Sequence, residues 1–421
     1  MLRPLDTQSV RRHFPGLSRK IAGAEAVFFD GPAGSQVPTR VAAAVSDYLL
    51  HHNANHGGPF ATSVETDAMV DAARAAFADF FGASTPDEIV FGANMTTLTF
   101  HLARALARTW KPGDVLVVTD SDHDANVTPW VLAARDVGAS VRRVPVRSDT
   151  TLDLDALDAL LDDRTRLVAV GAASNLSGTI HDVRTIADRA HRHGALVFVD
   201  AVHFAAHCRI DVGAWNCDFV ACSAYKFFGP HLGVLWGRQE LLLNLEAYKV
   251  RPAPAHGPEK WQTGTAAFET IAGALAAVDY LADLGSAVGS HGNRRTRLDA
   301  AFAAIAQHEQ LLTTRLLLGL RSLGAGEVIG LADPTQVARR CATVALVPRG
   351  IEPLRLQRAL AERGIFAWAG HSYALALCES LGLLPHGVLR VGLLHYATAG
   401  EVDRLLEALA QLVACAGTRG A

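Results

Sequence analysis

Lys226 lies in the run Ser223-Ala224-Tyr225-Lys226-Phe227-Phe228-Gly229-Pro230, twenty-six residues after a hydrophobic stretch that ends in Asp200. A lysine set among aromatic residues and followed by a Gly-Pro turn is poorly placed for a solvated charge. Partial desolvation lowers the pKa of an ammonium, and the free amine can attack a carbonyl and hold it as a Schiff base. Asp200 closes Ala195-Leu196-Val197-Phe198-Val199-Asp200, so its carboxylate should emerge at the carboxyl end of a buried strand. An amine for an aldehyde and an anion for a pyridinium nitrogen are the two groups that pyridoxal phosphate (PLP) requires. The same pair also suits a lysine lying over aromatic rings and an acid capping the next element. The rest of the chain has to decide.

Three further segments bear on that choice. Gly92-Ala93-Asn94-Met95-Thr96-Thr97 joins a strand-like run to a helical one. Backbone N–H groups at a helix start, beside the Thr96 and Thr97 hydroxyls, favour a phosphate, although threonine is also an ordinary N-cap. Ser121-Asp122-His123 follows the run ending at Thr119, where a histidine either stacks on a flat ring or caps a turn. Asn175-Leu176-Ser177-Gly178-Thr179 follows another such run, and Asn175 either donates to a ring hydroxyl or closes an Asx-turn. Each reading alone is ordinary; their recurrence after successive strands is not.

The elements that must position these residues alternate between helical and strand periods from about residue 66 to 240. The pattern predicts helices over 66–81, 96–110, 131–137, 154–161 and 183–192, and strands over 88–91, 114–119, 141–146, 167–170, 195–200, 219–222 and 234–236. Such βαβ units build a mostly parallel sheet covered on both faces, which binds ligands beyond the carboxyl ends of its strands. A long helix is expected from Thr265 past Ala277, then a break over 285–292. Two helices (293–306 and 309–322), strands over 342–347 and 388–392, and helices over 354–363 and 399–415 should follow, with a frayed tail from Gly417.

With 421 residues, a large and a small domain are the default expectation. Half the residues are hydrophobic and 19% are charged, which fits a well-buried globular enzyme. A net charge of −3 advertises no basic face for nucleic acid. No apolar run reaches the roughly 18 residues that span a bilayer, and the first residues lack the apolar core of a signal peptide. The six cysteines (Cys208, Cys217, Cys222, Cys341, Cys378 and Cys415) show no metal-ligand spacing. A cytoplasmic protein with reduced cysteines and no metal is expected.

In their order these motifs resemble the fold-type I, class V aminotransferase superfamily, and within it the cysteine desulfurase-like branch. The resemblance runs from about residue 27 to 415 through Phe28-Phe29-Asp30-Gly31-Pro32-Ala33-Gly34, Asp122-His123-Asp124-Ala125-Asn126, Asn175 to Thr179, Val199-Asp200-Ala201-Val202-His203 and Ser223 to Pro230. Thr263-Gly264-Thr265 and Leu389-Arg390-Val391 complete it. It implies an α/β fold of the fold-type I PLP-dependent transferase kind. A mostly parallel sheet would lie in a large domain (27–285), with a smaller α+β domain (286–421) and an N-terminal segment (1–26) packed on the latter. It implies PLP as cofactor, with Lys226 as Schiff-base lysine and general base and Asp200 as partner of the pyridinium nitrogen. His123 would stack on the ring, Asn175 and His203 would flank its hydroxyl, and Thr96, Thr97, Ser223 and Tyr225 would hold the phosphate. Arg390 would pair with a substrate carboxylate. Thr265 would reach the phosphate of a neighbouring subunit, so a homodimer with shared sites follows.

The chain departs from the desulfurase pattern at three places. Tyr225 stands where histidine usually precedes the lysine, as in kynureninase-like relatives, and His203 stands where a glutamine follows the aspartate. The loop Trp368-Ala369-Gly370-His371-Ser372-Tyr373-Ala374-Leu375 carries no cysteine where desulfurases keep their persulfide-forming one. Cys378 lies five residues on, in an apolar run that reads as core. Loss of a β-substituent from a PLP-bound substrate needs no thiolate, so the leading expectation is a C–S β-lyase acting on an S-substituted cysteine. Tyr373 and Trp368 would widen the pocket, and Asn55 in the loop 53–60 would line its entrance. Such a reaction suits secondary metabolism; some relatives in lincosamide-type antibiotic pathways eliminate a thiol, and others couple decarboxylation to oxidative deamination. That second outcome, transamination or desulfuration, and a degenerate binding subunit are the alternatives.

Overall fold

The protein is described from a computed structural model that covers residues 2–417. Seven strands, β1 (Ile89–Gly92), β2 (Val115–Thr119), β3 (Ser140–Val144), β4 (Thr165–Gly171), β5 (Leu196–Asp200), β6 (Phe219–Ser223) and β7 (Gly233–Gly237), make the principal sheet. Their order is β1-β7-β6-β5-β4-β2-β3. Only β7 runs against its neighbours; every other pair is parallel. Helices link the parallel strands, so the loops after β1, β2, β4, β5 and β6 all emerge on one side.

Alternate residues of the inner strands feed two separate cores. Val115, Val117, Val197 and Val199 point to one, while Leu116, Val118 and Phe198 point to the other. A sheet buried on both faces explains the near-continuous apolar runs in these strands. The helices Met95–Ala107 and Thr128–Val137 cover one face, and Ala61–Phe81, Val183–His191 and Phe268–Ala287 cover the other. Trp130 packs edge-on against Phe198 with ring centroids 5.0 Å apart, and such a buried indole contributes on the order of 3–5 kcal/mol against truncation to alanine.

A second, four-stranded sheet comprises β8 (Gly326–Ile329), β9 (Thr343–Pro348), β10 (Trp368–Gly370) and β11 (Val388–Gly392). It is antiparallel throughout, in the order β8-β9-β11-β10. The N-terminal segment touches both halves of the molecule. Arg11 Nη1 donates to the Tyr396 carbonyl and to Glu401, each at 2.9 Å, and Phe14 packs against Phe228, Tyr280 and Tyr396.

One expectation fails in the helical region between the sheets. Helices over 293–306 and 309–322 prove to be a single helix, Arg294–Leu323. The polar run Gln307-His308-Glu309-Gln310 reads as an interruption, but it holds no glycine or proline, and two of its side chains find partners elsewhere in the fold. Glu309 is buried with Oε2 2.7 Å from His207 Nδ1, and His308 Nε2 lies 2.9 Å from the Ala397 carbonyl. Leu298, Phe302 and Ile305 of this helix enter the core of the large sheet, while Leu312, Leu316 and Leu320 enter that of the small one. The expected break over 285–292 is a short turn after Ala287. Beyond Gly417, the tail expected to fray lies outside the described residues.

Candidate active site

A cavity of about 1080 Å³ opens at the carboxyl ends of β1, β2, β4, β5 and β6, and the segment from Trp368 to Tyr373 walls its far side. Lys226, Asp200, His123, Asn175, His203, Thr96, Thr97, Ser223, Tyr225, Arg390 and Tyr373 all line it. Residues scattered over most of the chain are thus gathered into one space. Thr265 and Asn55 do not line it. The loop bearing Asn55 is pinned to the helix Ala61–Phe81 instead: Gly57 N donates to Asp67 at 3.2 Å and Gly58 N to Ser63 Oγ at 2.7 Å. The expectation that Asn55 flanks the entrance is therefore not met within this chain.

Lys226 ends the single turn Ala224–Lys226 that follows β6. Its Nζ donates to the Pro32 carbonyl and lies 5.1 Å from the centre of the Tyr225 ring. Burial, reinforced by the positive charge of Arg390 and opposed by Asp200, brings its pKa down to about 7. Near neutrality a substantial share is therefore free amine. Asp200 ends β5, with Oδ1 accepting the Val202 N–H at 2.8 Å. Burial pushes its pKa up to about 6, and the Lys226 charge acts against that rise.

His123 follows β2. Its Nδ1 accepts the Ala125 N–H at 3.0 Å, which leaves the proton of the neutral ring on Nε2. Burial, then the charges of Lys226 and Arg390, lower its pKa to about 4, so the imidazole is neutral. Tyr373 lies nearly parallel to it, with ring centres 5.2 Å apart and an interplanar angle of 21°.

Arg390 rises from β11 and is buried. Its Nη1 donates to the Asn175 carbonyl at 2.8 Å, its Nε has no partner, and no carboxylate pairs with it among the described residues. A buried guanidinium without an anion is costly, and its remaining donors suit a ligand carboxylate. Asn175 Nδ2 donates to the Ser372 carbonyl at 2.8 Å, while its Oδ1 is buried and unpartnered. His203 is buried with an unpartnered Nε2.

At the cavity's other end, Asn94 caps the helix Met95–Ala107 by accepting from Thr97 N at 2.8 Å and Thr97 Oγ1 at 3.0 Å. Ser223 Oγ accepts the Met95 N–H at 2.9 Å and keeps its own proton to donate. This corner needs glycine at position 233, where a Cβ would stand 2.4 Å from the Asn94 carbonyl carbon.

Phe100, Asp122 and His231 line the cavity without a role assigned from the sequence. Asp122 has its carboxyl pushed up to about 7 by burial, against a 2.7 Å bond from Thr119 Oγ1. His231 stacks on Tyr225 at 4.9 Å and 13°. Asp122 is hidden in the polar run Asp120-Ser121-Asp122-His123-Asp124, where nothing marks it as the carboxyl that becomes buried. His231 follows Gly229-Pro230, a turn whose return path the sequence does not disclose.

The unpartnered Asn175 Oδ1, His203 Nε2 and Arg390 Nε converge on a cavity that also holds an amine, a buried carboxylate and a hydroxyl-rich helix start. That donor set fits PLP and an amino-acid carboxylate. With the sheet order, it defines a PLP-dependent enzyme of fold type I. The aminotransferase class-V family matches residues 27–405, and the chain belongs to that family. A probable cysteine desulfurase of Streptomyces coelicolor is 32% identical, with 96% of each chain covered. An aminotransferase-like protein, FGM3, of Gibberella zeae is 34% identical, with 96% of this chain and 97% of that one covered. Among solved structures, the apo cysteine desulfurase from Thermococcus onnurineus superposes with a TM-score of 0.86 at 26% identity, covering 97% of this chain and 98% of that one.

Proposed function

We propose that this PLP enzyme is a C–S β-lyase that splits an S-substituted cysteine, with water, into a thiol, pyruvate and ammonia. The observation that carries this reading is the loop facing the amine. Among the described residues no cysteine lines the cavity, and the loop presents His371, Ser372 and Tyr373. Cys378 is fully buried in the helix Leu375–Ser380, and burial raises its thiol to about 11. A thiolate nucleophile for sulfur transfer is missing where it is needed, whereas elimination of a thiol requires none.

PLP, when bound, supplies an electron sink that acidifies the bonds at the substrate's α-carbon. The residues divide the remaining work. Lys226 would hold the aldehyde of PLP, and its free amine would accept the substrate's α-proton at Nζ; its lowered pKa suits a base near neutrality. With PLP bound, Asp200 would face the pyridinium nitrogen and His123 the ring, while Asn175 and His203 would stand at the ring hydroxyl. Thr96, Thr97, Ser223 and Tyr225 would receive the phosphate. Arg390 would hold the substrate carboxylate through its uncommitted donors. Trp368, Tyr373 and Phe100 give the mouth an aromatic lining suited to a bulky sulfur substituent.

A cytoplasmic homodimer is part of the proposal, with Thr265 and Asn55 acting at the partner's site; no helix of the described residues is long and apolar enough to cross a membrane. A role in secondary metabolism is proposed too. Mass spectrometry of products from PLP-loaded protein and a panel of S-alkyl-L-cysteines, under air and under nitrogen, tests the reaction. Thiol and pyruvate in both atmospheres are expected. A decarboxylated, deaminated product formed only in air would replace the lyase with an oxidative enzyme.

A further inference from the structure

Tyr373 occupies an unfavourable backbone conformation for which packing alone gives no reason. Ser372 and Tyr373 have φ of 50° and 61°, the left-handed region that residues with side chains avoid. Tyr373 is also 66% exposed, so its ring is not held there by core burial. Hydrogen bonds hold the loop instead. Asp124 N donates to the Tyr373 carbonyl at 2.9 Å, Asn175 Nδ2 to the Ser372 carbonyl at 2.8 Å, and Tyr373 N to His371 Nδ1 at 3.1 Å. The first of these clamps the peptide that follows His123. The phenol itself lies on the His123 imidazole, 5.2 Å centre to centre and 21° from parallel. The loop thus grips His123 by its ring and by its backbone, from the opposite sheet.

We propose that Tyr373 is a positioning residue for the cofactor, acting through His123: its ring holds the imidazole flat as the middle layer of a stack completed by the pyridine ring of PLP. The proposal rests on the reading that His123 faces that ring. The imidazole is suited to the middle layer because Nδ1 is committed to the Ala125 N–H. That bond resists rotation of the ring, and the neutral imidazole brings no charge against a pyridinium. Offset stacking of aromatic rings is favourable beyond the area it buries. Strain in the loop is then the cost of presenting a phenol at this angle.

The test uses full-length protein and PLP alone, without substrate, so it is independent of the lyase reaction. PLP affinity and the visible circular dichroism of the bound cofactor are measured for wild type, Tyr373→Ala, Tyr373→Phe, His123→Ala and the His123→Ala/Tyr373→Ala double variant. Tyr373→Ala should weaken affinity by about two- to tenfold and alter the dichroism, and Tyr373→Phe should restore both. In the His123→Ala background the Tyr373 substitution should have no further effect, since the coupling runs through the imidazole. Wild-type affinity and dichroism in Tyr373→Ala, or an undiminished effect without His123, would overturn the proposal. If His123→Ala alone changes neither readout, the ring-facing reading of His123 fails and the stack fails with it. Thermal unfolding of each variant separates these results from loss of fold.

Discussion

Arg390 of the small sheet donates through Nη1 to the carbonyl of Asn175, in the loop that follows β4 of the large sheet, at 2.8 Å. This bond orients a buried cation toward the cavity while using only part of its hydrogen-bonding capacity. Replacing Arg390 with alanine removes the uncommitted donors and should raise KM for an amino-acid substrate. Loss of a desolvated charge contact of this type costs about 2–5 kcal/mol, at least about thirtyfold. PLP absorbance should persist, because the cofactor is held elsewhere. An unchanged KM, measured in steady state, would remove Arg390 from the substrate site.

Lys226→Ala should abolish covalent attachment of PLP and lower turnover by at least about 10²-fold, the ordinary worth of a positioned general base. Borohydride reduction followed by intact-mass measurement reads the first effect directly. Wild type should gain the mass of reduced PLP, on a peptide containing Lys226 after digestion, and the variant should gain none.

The pH dependence of PLP capture follows from the same amine. Its pKa is brought down to about 7 from 10.5 by burial first, then by Arg390. Below that value the ammonium form dominates and cannot add to an aldehyde. Capture by apo-protein should therefore slow as pH falls through 7 and level off above about 8. Asp200, raised to about 6, also loses its charge on the acid side, so the two effects act in the same direction. Stopped-flow absorbance would record the profile; a rate still climbing at pH 10 would mean the lysine is not desolvated.

Gly233→Ala tests how the fold shapes the phosphate corner. The added methyl would meet the Asn94 backbone at 2.4 Å, a rigid obstacle at the start of the helix Met95–Ala107. Overpacking of this kind costs about 1–3 kcal/mol, and the displaced helix start should weaken PLP binding. Chemical denaturation and PLP titration measure the two effects, and unchanged affinity would place the phosphate elsewhere.

The parallel sheet was legible because its strands are buried on both faces, which writes long apolar runs into the sequence. Lys226, Asp200 and His123 were legible because each follows such a run, and strand ends converge in a parallel sheet. Asp122 was not, because one polar residue in a polar run does not announce which of them is buried, and His231 was not, because its placement depends on how the Gly229-Pro230 turn returns. The helix Arg294–Leu323 was misread because Glu309 looks like a surface residue until His207, distant in sequence, is brought against it. The position of the loop bearing Asn55 was not legible for a related reason: hydrogen bonds to Asp67 and Ser63, invisible to periodicity, decide where it lies.

The central claim is that sulfur leaves with its substituent by elimination rather than passing to a protein thiolate. Supplying PLP-loaded protein with free L-cysteine and with S-benzyl-L-cysteine, side by side under reducing conditions, tests it most directly. Pyruvate and benzyl thiol are expected in equal amounts from the conjugate, and no alanine from cysteine. Alanine and transferable sulfur from free cysteine, with the conjugate untouched, would contradict it.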